Sequence, residues 1–445
     1  MFIGKFRSPI FFSAMYPNLY YAFRELFGIS VPFLKILNTF GFFVAIAFIA
    51  AAYVFTKELK RREELGLMSG KLEKIIIGKP ASQADLIGYA IVGFILGFKF
   101  LGIAFQWSTA SEDLQSFMFS GQGSWIGGIA VAAIMAYREY ASKKKKALPK
   151  PVEKDILVMP HQRVPDITVM AAIGGLLGAK IFHNLENWGD FVQDPIGALL
   201  SFSGLTFYGG LIVAAAIILW YARKKNINLR LLVDSVAPAL MLAYGIGRMG
   251  CQFAGDGDWG IYNSAYTVDV QTGSTTKMAP MTFEEVVQKN SNYFQSKYGG
   301  IENIPHASFE KPSGLGFLPD WFFAYGYPHN VVNDGVKLTG CEGQYCRVLP
   351  IAVFPTPLYE IITCLGLFLV LWAIRKKIKV PGVLFGIYLI LNGIERFFIE
   401  KIRVDTRYDI FGFHPTQAEI ISTLLVIGGI IFIIYCRKKN TASLS

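Results

Sequence analysis

Residues 85–99 read DLIGYAIVGFILGFK, and residues 166–180 read DITVMAAIGGLLGAK. Each opens on an aspartate, closes on a lysine and carries no other charge, with glycines at matching places between; apolar runs of this kind are how a helix that crosses lipid is written. Downstream of the first lies WIGGIAVAAI from Trp125, and downstream of the second FYGGLIVAAAI from Phe207. Two helical hairpins are therefore duplicated. Both begin on the same side, which makes them parallel rather than the inverted repeats common in transporters. Tyr208 has no counterpart in the first copy, where Ile126 stands, so a function kept by one copy belongs to the second.

Working outward from the repeats, a requirement of about 20 mostly apolar residues per span yields nine candidates. They run from Ile36 to Thr56, Leu86 to Trp107, Ser124 to Tyr140, Ile167 to Phe182, Leu205 to Ala222, Leu231 to Gly250, Pro357 to Ile374, Pro381 to Ile399 and Ala418 to Cys436. Lysine and arginine concentrate on the cytoplasmic side of a membrane. Basic clusters follow the first span (Lys57, Lys60, Arg61, Arg62), the third (Lys143 to Lys146), the fifth (Arg223 to Lys225), the seventh (Arg375 to Lys377) and the ninth (Arg437 to Lys439). Every odd span thus ends inside, which puts the N-terminus outside and the C-terminus in the cytoplasm. The expected fold class is an all-α polytopic membrane protein of about nine transmembrane helices with an extracytoplasmic head domain. Its parts are an extracytoplasmic arm (1–35), the first transmembrane helix with a cytoplasmic linker (36–84), a transmembrane hairpin (85–147), the first part of a membrane core (148–255), the head domain (256–353), the second part of the core (354–436) and a cytoplasmic tail (437–445).

Composition agrees with a membrane solvent: 53% of the 445 residues are hydrophobic and 17% are charged. The formal charge of +11 does not point to nucleic acid, because the basic residues sit in short clusters beside apolar runs rather than along one soluble face. The five cysteines are scattered apart from Cys341 and Cys346, which argues against a zinc framework. In an oxidising compartment those two form a local disulfide or remain an unpaired surface pair. The opening residues carry Arg7, Arg24 and Lys35 without the pattern of a cleaved signal, so the first apolar run is expected to be retained.

Charged groups within a span are costly and by default functional. Arg248 lies in YGIGRMGCQFAGDGDWG, from Tyr244, among glycines that allow sharp turns and close backbone approach. A guanidinium offers a planar fork of donors suited to a phosphodiester, so this stretch reads as an anion site at the outer surface. Arg396, in GIERFFIEKIRVD from Gly393, closes the eighth span on the same face, with Glu395, Glu400 and Arg403 nearby. The two arginines would meet over one head group. The bland alternatives are an interfacial anchor for Arg248, and for Arg396 a side chain that reaches the interface and pairs with Glu400. Lys180 has a twin in Lys99 and reads as structural, and His183 as a surface residue.

The stretch GRMGCQFAGDGDWG, from Gly247 to Gly260, resembles the signature of the prolipoprotein diacylglyceryl transferase family. GLTFYGGLIVA from Gly204, FPTPLYE from Phe354, the Arg396-centred run through Arg403 to Asp405, and HPTQAEIIS from His414 agree with further family motifs in the same order. The resemblance covers the first span and the chain from about Asp166 onward. It implies seven spans and a periplasmic head in the bacterial cytoplasmic (inner) membrane, with residues 85–140 as an added hairpin. The implied reaction transfers the diacylglyceryl group of phosphatidylglycerol to the lipobox cysteine thiol in the signal peptide of a preprolipoprotein, forming a thioether and releasing glycerol 1-phosphate. The implied partners are therefore phosphatidylglycerol, that signal peptide and the surrounding membrane lipids. No metal or organic cofactor is implied. By the same resemblance Arg248 and Arg396 are phosphate-binding and catalytic, with Tyr208 as a third catalytic position. Gly247, Gly250, Cys251, Asp256, Asp258, Tyr359, Glu360, Glu400, Arg403 and Gln417 are substrate-binding.

This chain departs from the family pattern at several points. Tyr208 stands where the family often has His, and a phenol, with an ordinary pKa of about 10, is a poor base at neutral pH. Tyr208 then hydrogen-bonds the phosphate, or the thiol proton is taken elsewhere. Cys251 replaces a frequent Asn. One extra residue in GDGDWG leaves Asp256 and Asp258 as alternatives for the family's acidic place. A transporter built on the repeated hairpins is the main competing reading.

Overall fold

A computed structural model describes residues 15–110, 117, 118, 120–200, 206–278, 282–404, 408, 409 and 412–441. Arg7, Gly204, the expected start of the fifth span at Leu205, and Asp405 lie outside the described residues. Among the described residues nine long helices organise the chain: α1 Thr39–Glu64, α2 Gln83–Phe105, α3 Trp125–Lys146, α4 Val164–Glu186, α5 Phe207–Lys224, α6 Leu229–Ala254, α7 Thr356–Ile374, α8 Val383–Glu400 and α9 Gln417–Thr441. Within the same residues, seven helical stretches have the length and apolarity to cross a membrane: Thr39–Glu64, Gln83–Phe105, Pro160–Glu186, Phe207–Lys224, Leu229–Ala254, Thr356–Ile374 and Gln417–Asn440. The two further expected spans are also helices, but both carry heavy charge. Helix α3 ends in four consecutive lysines, and α8 carries Glu395, Arg396 and Glu400 in its last two turns.

The chain folds as two compact units, one comprising residues up to Phe55 and from Arg230 onward, the other Thr56–Leu229. The second unit holds the duplicated hairpins, α2 with α3 and α4 with α5. Their glycines explain the duplication physically. A Cβ placed on Gly97 would lie 2.2 Å from the Gly127 carbonyl oxygen and 2.7 Å from Val131 Cβ; on Gly178 it would lie 2.4 Å from the Gly209 carbonyl oxygen and 2.6 Å from Val213 Cβ. The same close backbone approach is thus built twice, glycine against glycine at each crossing. Lys99, the twin of Lys180, donates from Nζ to the carbonyls of Phe117, Ser120 and Gln122 at 3.0, 2.6 and 2.9 Å, a structural role. Gly178→Ala should therefore destabilise the protein by about 1–3 kcal/mol through overpacking. Gly175→Ala, where an added methyl meets nothing within 4 Å, should leave the thermal midpoint in detergent unchanged.

The chain is mostly helical but not all-α, and the expectation is corrected at two places. In the second unit, β1 (Lys71–Ile77) pairs antiparallel with β2 (Val152–Val158) in unbroken register from Lys71↔Val158 to Ile77↔Val152. In the first unit, the segment between α6 and α7 carries β3 (Tyr262–Val268), β4 (Thr275–Lys277), β5 (His306–Ala307), β6 (Val336–Lys337), β7 (Arg347–Val348) and β8 (Ile351–Val353). There β3 is central, antiparallel to β4 and β8 and parallel to β5. Tyrosines and β-branched residues that favour a pleated, half-buried surface pack with the short helices Phe283–Lys289 and Ser291–Tyr298 around Tyr262, Phe294, Tyr327 and Ile351. Polar composition hid these strands because all but β3 are two or three residues long. Cys341 and Cys346 form a disulfide in this segment.

Elsewhere in the first unit, Met241, Cys364, Leu371 and Leu384 form an apolar cluster joining α6, α7 and α8. Asp234 accepts the backbone N–H groups of Gly382 and Phe385, both at 2.8 Å, and so satisfies donors at the start of α8. These contacts fix the helices whose other ends carry the charged residues.

Candidate active site

Along α6, Tyr244 and Arg248 are four residues apart and share a face. Cys251 is three residues further on, its Sγ 3.7 Å from Arg248 Nη1. The chain leaves α6 through Gly255 (φ +62°) and Gly257 (φ +95°), left-handed conformations that suit glycine. This turn brings Asp258 back onto Arg248. Two contacts then hold the returning chain. Thr356 Oγ1 donates to the Asp258 carbonyl at 3.0 Å, and Ile261 N donates to the Ile402 carbonyl at 2.9 Å as Gly260 bridges to Arg403. A Cβ on Gly260 would approach the Ile402 oxygen to 2.5 Å, so glycine is required for this crossing.

The outcome is a closed ring of alternating charges. Arg248 pairs with Asp258, and its Nε lies 3.0 Å from Glu360 Oε2. The other Glu360 oxygen is 3.4 Å from Arg396 Nη1 and accepts the Tyr244 hydroxyl at 2.7 Å. Arg396 Nη2 reaches Glu400 Oε2 at 2.8 Å, one helical turn along α8. Arg403 Nε stands 3.9 Å from that same oxygen, and its Nη2 closes the circuit on Asp258. The Glu360 and Glu400 side chains are wholly buried. Charges taken out of water to this degree persist only when paired, and here each of the three guanidiniums touches two carboxylates. Asp256 lies just outside the ring, accepting the Asp258 N–H at 3.2 Å. Burial pushes its carboxyl above the usual range. It is therefore Asp258, not Asp256, that engages the arginines.

The structure thus brings together Arg248, Cys251, Asp258, Glu360, Arg396, Glu400 and Arg403 from the expected set, with Asp256 alongside. Gly250 packs against Phe40 of α1, and an added Cβ would come within 3.1 Å of its ring, whereas Gly247 faces open space. Tyr359 points elsewhere, its hydroxyl donating to the Phe322 carbonyl at 2.9 Å. Gln417 is exposed in the first turn of α9, and Tyr208 lies in the first turn of α5, in the other unit. Sequence reasoning missed Tyr244 and Thr356. The spacing of four between Tyr244 and Arg248 was the available signal for the first. It also left Glu395 unassigned, although a third charge in the apolar run of α8 marks it as costly.

Fold and site together define a polytopic membrane protein with a ring of paired arginines and carboxylates built where its helices end. The chain belongs to the prolipoprotein diacylglyceryl transferase family, whose profile matches residues 147–435. The match begins one residue after α3 ends, so the first copy of the hairpin lies outside it. Among similar proteins, the phosphatidylglycerol–prolipoprotein diacylglyceryl transferase of Clostridioides difficile (strain 630) is 28% identical over 285 residues, covering 63% of this chain and 82% of its own length. The protein of the same description from Staphylococcus haemolyticus (strain JCSC1435) is 27% identical over 283 residues, covering 63% and 76%. That of Clostridium novyi (strain NT) is 26% identical over 321 residues, covering 72% and 93%.

Proposed function

We infer that this enzyme transfers the diacylglyceryl group of phosphatidylglycerol to the lipobox cysteine thiol of preprolipoproteins, forming a thioether and releasing glycerol 1-phosphate. The observation that carries the reading is the ring of three arginines and three carboxylates in a chain of this family. The sulfur–hydrogen bond breaks, sulfur bonds to the glyceryl carbon, and the carbon–oxygen bond to phosphate breaks with its electron pair leaving on oxygen. Charge therefore grows on the phosphate as the reaction proceeds. Donors aimed at developing charge in a site sheltered from water are the strongest single source of rate enhancement. A guanidinium carries five N–H donors. Arg248 and Arg396 engage two nitrogens each within the ring, which leaves donors on both for the phosphate.

Glu360 holds those two arginines at one spacing, and Asp258 and Glu400 tie them to Arg403. Gly247 leaves room for the lipid beside Arg248, while Cys251, Asp256 and Gln417 complete the surroundings in which lipid and signal peptide bind. In this reading α3 and α8 also cross the membrane, giving nine spans with the N-terminus and the segment 256–353 outside the bacterial inner membrane and the C-terminus within the cytoplasm. Purified protein in phosphatidylglycerol vesicles should convert a lipobox peptide to its diacylglyceryl thioether, with one glycerol phosphate released per peptide modified. Failure of both signals would sink the assignment.

A further inference from the structure

Every carboxylate of the ring is engaged by a guanidinium, but one carboxyl beside it is not. Glu395, in α8, is 5% exposed, and neither of its carboxyl oxygens has a hydrogen-bond partner among the described residues. Buried polar groups are normally satisfied. An unsatisfied one within an apolar helix is expensive to keep, and a purely structural position would hold an apolar side chain at less cost. Its electrostatic neighbours are Glu360 and Cys364 from α7, Arg248 and Tyr244 from α6, and Tyr388 and Arg396 of its own helix. It thus shares its surroundings with the residues of the ring.

The reaction inferred above needs a group to take the thiol proton, and a carboxylate of the ring can accept one only by loosening its hold on an arginine. We propose that Glu395 is the proton acceptor of this centre, taking the proton of the incoming cysteine thiol and passing one to the departing phosphate monoester. This rests on the transferase reading. Unpaired and this far from water, the Glu395 carboxyl rests neutral. As sulfur attacks the glyceryl carbon and the carbon–oxygen bond breaks toward the phosphate, the thiol proton moves to one Glu395 oxygen while the proton on its other oxygen passes to a phosphate oxygen, so the carboxyl ends neutral as it began and nothing is left over. The proton crosses beside the Arg248 and Arg396 guanidiniums without any ion pair opening.

The test uses the purified full chain in phosphatidylglycerol vesicles with two lipobox peptides, one carrying cysteine and the other selenocysteine, whose selenol is already ionised at neutral pH. With the cysteine peptide at pH 7, Glu395→Gln should lower kcat by about 10²–10³-fold, in the range of a lost general base, while KM for the lipid changes less than about threefold. With the selenocysteine peptide, or with cysteine as the pH rises toward 9, the loss should shrink to less than about tenfold. Glu395→Asp, which keeps a carboxyl, should retain a cysteine-to-selenocysteine ratio near that of the unsubstituted enzyme. That variant supplies the comparison if the Gln variant fails to fold. Equal losses on both peptides, or full activity of Glu395→Gln on cysteine, overturns the proposal. An unsubstituted enzyme that modifies neither peptide instead overturns the transferase reading beneath it.

Discussion

Arg248→Ala should lower kcat/KM for lipid transfer by about 10³-fold or more, as expected when a principal donor to developing phosphate charge is removed. Arg248 touches both Asp258 and Glu360, so it joins the loop after α6 to the second turn of α7. Its removal takes away the fork and opens the ring at once. Arg248→Lys keeps the charge but offers one point of contact instead of two, and should remain about 10²-fold impaired. Glycerol phosphate release from vesicles, measured at matched protein abundance, checks both variants. Activity within tenfold of the unsubstituted enzyme would show that phosphate is held elsewhere.

Glu360→Ala should act mainly on stability. Glu360 is wholly buried, carries Arg248 on one oxygen and Arg396 on the other, and accepts the Tyr244 hydroxyl. Without it two guanidiniums face each other in a sheltered site, and breaking a buried pair from one side costs about 3–5 kcal/mol. The thermal midpoint in detergent should fall markedly and activity should be lost with it. Glu360→Gln keeps the shape and one acceptor oxygen, so its midpoint should lie between the two. A Glu360→Ala protein that melts with the unsubstituted one would mean that the arginines find other counter-charges.

How far the sequence carried depends on what each feature demands. A bilayer requires long apolar runs, so the helices were legible down to their glycines, and the two copies of the hairpin could be aligned before their matching contacts at Gly97 and Gly178 were seen. Arg248 and Arg396 were legible because a charge in such a run needs a reason. The choice between Asp256 and Asp258 was not, since it depends on the left-handed turns at Gly255 and Gly257. Tyr359 and Glu360 illustrate another limit. Adjacent helix residues point about 100° apart, so a Tyr-Glu pair in the sequence cannot place both side chains in one ring. The strands between α6 and α7 escaped because they are brief and find their partners far along the chain, as Tyr262 does with His306 and Val353.

The alternation of charges around the ring has a consequence for turnover. With no lipid bound, every arginine already has a resident counter-ion, so the site never presents a bare cation to the hydrocarbon around it. An arriving phosphodiester takes up the guanidinium N–H donors that the ring leaves spare, so the resident carboxylates keep their hold while it is bound. Once the glyceryl carbon has gone to sulfur and the monoester leaves, the ring is already closed on its own charges, and no rearrangement separates product release from the resting form.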